Sequence, residues 1–241
     1  TRFAGVTALS ALTVSGRTFL VAGGTDNGIS LFTLLPGGRL LHLQSMADGA
    51  GTTLAQPSAI TMATVGTEIQ VFVSSATETG ITMYRVDISA LGLTLASGAA
   101  ALAGGSGDDL LVLTGGDGIV SGGGGSDIIG DGAGNDELRG GAGDDLFVLS
   151  ADGRADTILD FEPGRDRIDL TMLPFLRNIG QLVFTPVAGG IVIQYGTELL
   201  TVMTADGSSL TAANFPASAV LPLTRVPLSP LPAGQPAAAD R

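Results

Sequence analysis

Along its first 94 residues the chain alternates apolar and polar positions in short runs bounded by turn residues, the signature of half-buried strands. Gly16-Arg17-Thr18-Phe19-Leu20-Val21 is followed by Gly28-Ile29-Ser30-Leu31-Phe32-Thr33-Leu34. A second copy reads Gly66-Thr67-Glu68-Ile69-Gln70-Val71, then Gly80-Ile81-Thr82-Met83-Tyr84-Arg85-Val86, with two residues inserted. Apolar stretches at 8–14 and 58–65 precede the two copies, and the polar turns Thr25-Asp26-Asn27-Gly28 and Thr77-Glu78-Thr79-Gly80 join their strands. Antiparallel strands are therefore expected over 1–94.

From Gly104 the period becomes nine. Rows begin at Gly104, Leu113, Gly122, Asp131 and Gly140. Position six is Asp109, Asp127, Asp136 and Asp145, and the row at Leu113 is degenerate there. Position eight is Leu111, Val120, Ile129, Leu138 and Phe147 without a gap. Glycine at positions one, two and four is expected to give positive φ and a tight turn with carbonyls pointing inward. Position eight is expected to face a core.

Composition sharpens the picture. Glycine is 37 of 241 residues, with no Cys, one His and no Lys among 11 basic residues. Disulfides, thiolate metal sites, P-loop and Schiff-base lysine chemistry are excluded. The net charge of −12 argues against nucleic acid as a partner. Residues 104–169 hold 15 of the 23 acids and 4 Arg, so the acidity is local. No apolar run reaches the ~18 residues of a membrane span. The chain starts at Thr1 without Met, as expected of a processed chain or a piece of a longer one.

The repeated strands at 5–94 resemble blades of a lactonase-like β-propeller. Two copies are too few for a closed ring of about 4–8 blades, and a small sandwich is the alternative. The nonapeptide rows match G-G-x-G-x-D-x-U-x and resemble the RTX proteins of haemolysin and serralysin type. Asp156-Thr157-Ile158-Leu159-Asp160-Phe161-Glu162-Pro163-Gly164-Arg165-Asp166-Arg167-Ile168-Asp169-Leu170 resembles the segment that follows the roll in that family, and 182–215 resembles its strand cap. The resemblance implies an all-β chain: a right-handed parallel β-roll with two rows per turn and a β-strand cap, preceded by the antiparallel, propeller-blade-like strands. The expected divisions are 1–94, 95–170 for the roll, 171–215 for the cap, and a Pro/Ala-rich tail at 216–241.

The family resemblance also implies Ca²⁺, secretion through type I machinery, and a place outside the cell or on its surface. Calcium takes 6–8 hard oxygen ligands. The expected side-chain ligands are Asp109, Asp127, Asp136 and Asp145, with Asp108, Asp117 and Asp156 as helpers and Asp166 as a further candidate. The expected carbonyl ligands belong to Gly104, Gly105, Gly107, Gly122, Gly123, Gly125, Gly132, Gly134, Gly140, Gly141 and Gly143. Turns 18 residues apart stack on one edge, so two strong sites are expected there and one or two weaker ones opposite. Stacked carboxylates repel, so the roll is expected to fold only with metal.

Positions seven and nine face outward. Leu110, Val112, Ile128, Leu146 and Val148 make one outer face apolar. It is either covered by other parts of this chain or faces a protein partner or second copy. His42 is expected as a surface histidine, and no nucleophile motif or metal triad points to catalysis. A secreted structural or adhesive module is the first reading. The alternative is the C-terminal part of a secreted propeller-type or protease-type enzyme with its catalytic residues upstream.

Overall fold

The computed structural model describes residues 5–220, in two compact units, 5–90 and 91–220. The first unit holds two antiparallel meanders. One is β1 (Val6–Val14), β2 (Arg17–Gly24), β3 (Gly28–Leu34) and β4 (Leu40–Ala47). Its first hairpin closes on Ser15 and Gly16 with φ of 50° and 80°, the left-handed pair that suits a two-residue turn between twisted strands. The other meander is β5 (Pro57–Val65), β6 (Glu68–Ser75) and β7 (Ile81–Asp87). Phe19, Val21, Ile29, Leu31, Ile69, Val71 and Val73 are buried, the alternate positions that the pattern marks.

The two copies thus differ. The first contributes four strands and the second three. The strand that follows, β8 (Leu91–Ser97), pairs in parallel with β10 (Asp108–Leu113) in the second unit. A boundary at 94/95 falls inside β8, and the contacts divide the chain at 90/91.

His42 corrects an expectation, because it is buried at 8% exposure. The register of β3 on β4 shifts between Leu31 and Phe32, so Leu31 faces Gln44 and Phe32 faces His42. This one-residue bulge puts His42 and Ser45 on the same face. The His42 Nε2 lies 2.7 Å from Ser45 Oγ, and Ser45 Oγ lies 2.7 Å from Ser30 Oγ.

The second unit is a parallel β-solenoid. One sheet stacks β8, β10, β12 (Ile128–Gly130), β14 (Leu146–Val148) and β16 (Arg167–Asp169). The facing sheet stacks β9 (Ala101–Ala103), β11 (Ile119–Gly124), β13 (Glu137–Ala142), β15 (Ala155–Ile158) and β19 (Glu198–Met203). Position eight forms two interior columns, as the rows require. Leu95, Leu111, Ile129, Phe147 and Ile168 are in register on one side. Leu102, Val120, Leu138, Ile158 and Val202 are in register on the other.

The C-terminal end of this core is closed by β17 (Val183–Val187) and β18 (Gly190–Tyr195), which extend the second sheet antiparallel from β19. Phe161, Phe184 and Phe215 stack there at 5.5 and 5.8 Å. The short helix α1 (Ala217–Val220) buries Val220, whose carbonyl accepts the Leu170 N–H. Residues 216–220 therefore belong to the cap rather than to a tail. The rest of the expected tail, 221–241, lies outside the described residues.

Candidate metal centre

From β9 on, strands only three to six residues long alternate with glycine turns, so the turns stack along two edges of the solenoid. On the first edge, stacking is close enough to exclude side chains. A Cβ on Gly123 (φ 107°) would lie 2.3 Å from the Gly105 carbonyl oxygen, and one on Gly125 (φ 106°) 2.7 Å from that of Gly107. Gly141 and Gly143 repeat this against Gly123 and Gly125, and Gly132 and Gly134 against the preceding turn of the second edge. At these six places, positions two and four need glycine for both φ and space.

Position one corrects the expectation. Gly104, Gly122 and Gly140 do not adopt left-handed φ, and Gly105 does not either. Position one is glycine because of the aspartate five residues on. A Cβ on Gly104, Gly122 or Gly140 would lie 2.1 Å from Oδ2 of Asp109, Asp127 or Asp145 respectively. The Gly122 position also meets the Gly140 carbonyl oxygen at 2.5 Å. A carboxylate oxygen and a backbone carbonyl thus converge in a cradle that one methyl group would fill.

The aspartates at position six form a ladder. Asp127 Oδ1 accepts the Asp109 N–H at 2.8 Å, Asp145 Oδ1 accepts the Asp127 N–H at 2.9 Å, and Asp166 Oδ1 accepts the Asp145 N–H at 3.0 Å. On the second edge Asp136 Oδ1 accepts from Gly118 at 2.7 Å and Asp156 Oδ1 from Asp136 at 3.0 Å. The second oxygens of Asp127, Asp136 and Asp145 are buried and have no hydrogen-bond partner. Asp109 differs, because its oxygens accept from Leu93 and Gly105.

Burial pushes the carboxyls of Asp127 and Asp156 up to about 7, and those of Asp136 and Asp145 to about 6. Neighbouring carboxylates add to each shift, as Asp145, Asp109 and Asp108 do at Asp127. Asp131 and Asp166 also rise to about 7, chiefly through burial. Buried charge of one sign, with an orphaned oxygen in each of three side chains, calls for a cation or a proton. Oxygen-only donors of this kind fit a hard divalent ion such as Ca²⁺. Among the described residues no three His, Cys, Asp or Glu side chains converge as a metal cluster. An ion here would draw most of its ligands from backbone carbonyls.

Asp108 and Asp117 do not join the buried row. Each reaches forward from position five to the next turn, where Asp108 accepts the Ser126 N–H at 2.7 Å and Asp117 the Asn135 N–H at 2.8 Å. The bonds from Asn135 hold the Asp117 carboxyl below its ordinary range. Adjacent strand residues point to opposite sides, so positions five and six cannot share one role. Asp160 was not singled out from the sequence. It accepts from Gly140 at 3.0 Å and Gly141 at 3.1 Å. The repeat hides it, because beyond Asp145 the stacking offset lengthens from 18 residues to 19–21.

The apolar outer face also departs from one of its two expected forms. Leu110, Ile128, Leu146 and Val148 are buried within the single chain and Val112 is half-buried, so this face is not open to a second molecule.

Residues 91–206 match the family described as Peptidase M10 serralysin C terminal. Among solved structures, the extracellular lipase LipA from Serratia marcescens is similar with 17% identity and a TM-score of 0.34. That match covers 83% of this chain, which spans only 30% of the lipase. The AlgE6R3 subunit of the Azotobacter vinelandii mannuronan C5-epimerase matches at 24% identity and a TM-score of 0.22, over 56% of this chain and 88% of the subunit. No curated protein matches the sequence. The matched residues, which build the solenoid and its cap strands up to 206, are thus similar to the serralysin C-terminal family.

Proposed function

We propose that residues 91–206, a serralysin C-terminal domain of RTX type, are a calcium-dependent folding module of a secreted protein. The observation that carries this reading is the orphaned Oδ2 on each of the buried Asp127, Asp136 and Asp145. On the first edge Asp127 and Asp145 would hold Ca²⁺ together with carbonyls of Gly122, Gly123, Gly125, Gly140, Gly141 and Gly143. Asp109 and the carbonyls of Gly104, Gly105 and Gly107 would complete that edge at its N-terminal end. On the second edge Asp136 and Asp156 would act with carbonyls of Gly132 and Gly134.

Bound calcium supplies positive charge to a row of desolvated carboxylates. The protein's part is to place those oxygens by the backbone N–H ladder and to keep water out with the two interior columns. Metal binding is thereby linked to folding. Extracellular calcium modules typically work at about 10⁻⁴–10⁻³ M. Such a module stays unfolded in a calcium-poor cytosol, crosses a type I exporter as a chain, and folds outside, where its role is structural or adhesive.

Calcium titration of chelator-treated protein, followed by far-UV circular dichroism, tests this. The β signal is expected to appear cooperatively between micromolar and millimolar calcium. An apo protein that is already folded and indifferent to calcium would overturn the proposal.

A further inference from the structure

Positions one and six of a row compete for one place. On the first edge the aspartate at position six fills it, and a Cβ on Gly104, Gly122 or Gly140 would lie 2.1 Å from its Oδ2. In the degenerate row of the second edge the filling is reversed. Leu113 takes the place from position one, and a Cβ on Gly118 at position six would lie 2.8 Å from Leu113 Cδ1. Each of these four rows has a side chain at one of the two positions and glycine at the other. The row at Asp131 has side chains at both, and both are acidic: Asp131 and Asp136.

Asp131 is a core residue. One step beyond the registered Val112, Gly130 and Val148, it lies in the stack between Leu113 and Leu149, which belong to the apolar core. It is 2% exposed. Its Oδ1 and Oδ2 each lie 2.9 Å from the Ser150 nitrogen, whose N–H they accept. Among the described residues no arginine forms an ion pair with it. Asp136 is equally buried. It spends Oδ1 on the Gly118 N–H, as Asp127 does on that of Asp109, which leaves Oδ2 for the side of position one. That oxygen is buried and has no hydrogen-bond partner. Burial first, then the charges of Asp156 and Asp136, push the Asp131 carboxyl up to about 7. Two desolvated carboxylates of one sign thus share a place that elsewhere holds one side chain.

We propose that Asp131 is a metal ligand acting from position one, so that an ion on the second edge is held by Asp131 and Asp136 together. This rests on the calcium reading of the roll and adds a ligand that the nine-residue pattern does not assign. A proton would neutralise one of the two charges, whereas a hard divalent ion neutralises both and takes carbonyls of the glycine turn as its remaining ligands. The number of charged ligands tunes calcium affinity. Asp131 thereby supplies the second edge with the carboxylate that Gly118 withholds, and its site ranks with those of the first edge rather than below them.

Equilibrium dialysis of the full chain against graded free calcium tests this, with circular dichroism of the same samples to verify folding. Asp131→Asn keeps an oxygen for the Ser150 N–H and removes the charge. It is expected to need several-fold more free calcium than wild type to take up its last ion. A residue that only accepted from Ser150 would be replaced by asparagine without moving the binding curve. Asp131→Leu gives position one the residue found at 113 and 149. It is expected to fold in calcium and to bind one ion fewer, and it decides the matter if Asp131→Asn does not fold. A folded Asp131→Asn variant whose binding curve overlays that of wild type overturns the proposal and leaves the calcium reading standing. A wild type that binds no calcium overturns both.

Discussion

Asp127 is held by one oxygen and leaves the other buried without a donor. Its charge is therefore harmful without metal and needed with it. Asp127→Asn keeps an oxygen for the Asp109 N–H and removes the charge. The variant is expected to be more folded than wild type under chelation, yet to need several-fold more calcium to reach its final signal, as paired titrations would show. Gly122→Ala places a methyl 2.1 Å from Asp127 Oδ2. It is expected to raise the calcium midpoint by about tenfold or more, since blocking one charged ligand contact removes on the order of 1.5–3 kcal/mol. Gly116→Ala, with open space around the site, is expected to leave the midpoint unchanged. The spacing of Asp109, Asp127, Asp136 and Asp145 was legible in the sequence because a strict period needs no coordinates. The division of labour between positions five and six was not, because both are acidic at Asp108 and Asp109. Only the direction in which each side chain leaves the backbone separates a metal-facing residue from one that clasps the next turn.

At the scale of the elements, the glycine turns and the carboxylate ladder stand or fall together. Asp127, Asp136, Asp145 and Asp156 have folded-state values near 6–7, against 3.8 when exposed. In the calcium-free chain the folded roll binds more protons than the unfolded one between those limits. Its stability is fullest below about pH 4 for these groups and is lost as pH rises through 6–7. Chelated protein is thus expected to gain β signal on acidification from pH 7.5 to 5, while the calcium midpoint shifts upward as protons compete. A chelated sample whose spectrum is flat over that range would contradict this. Asp117→Ala is expected to lower the melting temperature without changing the number of calcium ions bound, which equilibrium dialysis would count. The interior columns follow directly from the sequence pattern, and the strand cap follows from the family resemblance of 182–215. β8 does not, because 91–97 reads equally well as the last strand of the second meander. Its leucines fit either sheet, and the choice is made by pairing with β10 rather than by local pattern.

The whole molecule combines two units whose stabilities have different sources. Residues 5–90 bury Phe19, Ile29, Leu31, Leu41, Ile69 and Val71, and none of the carboxyls pushed up to about 6–7 lies there. Calorimetry is expected to show two transitions. Chelation should abolish the one belonging to 91–220 and leave the other in place. A single transition that moves as a whole with calcium would show the units to be one cooperative body. The ladder has one more consequence, which concerns inheritance. Asp109, Asp127 and Asp145 contact one another at an offset of 18 residues. In-frame loss of 122–139 would set the row at 140 directly on the row at 104, with Phe147 over Leu111 and every carboxylate on its proper edge. Loss of a single row of nine would carry the cap to the wrong edge. Within the regular rows of 104–148 the gene can lengthen or shorten its roll only in steps of eighteen codons, and a record of duplications in that stretch should count in that unit.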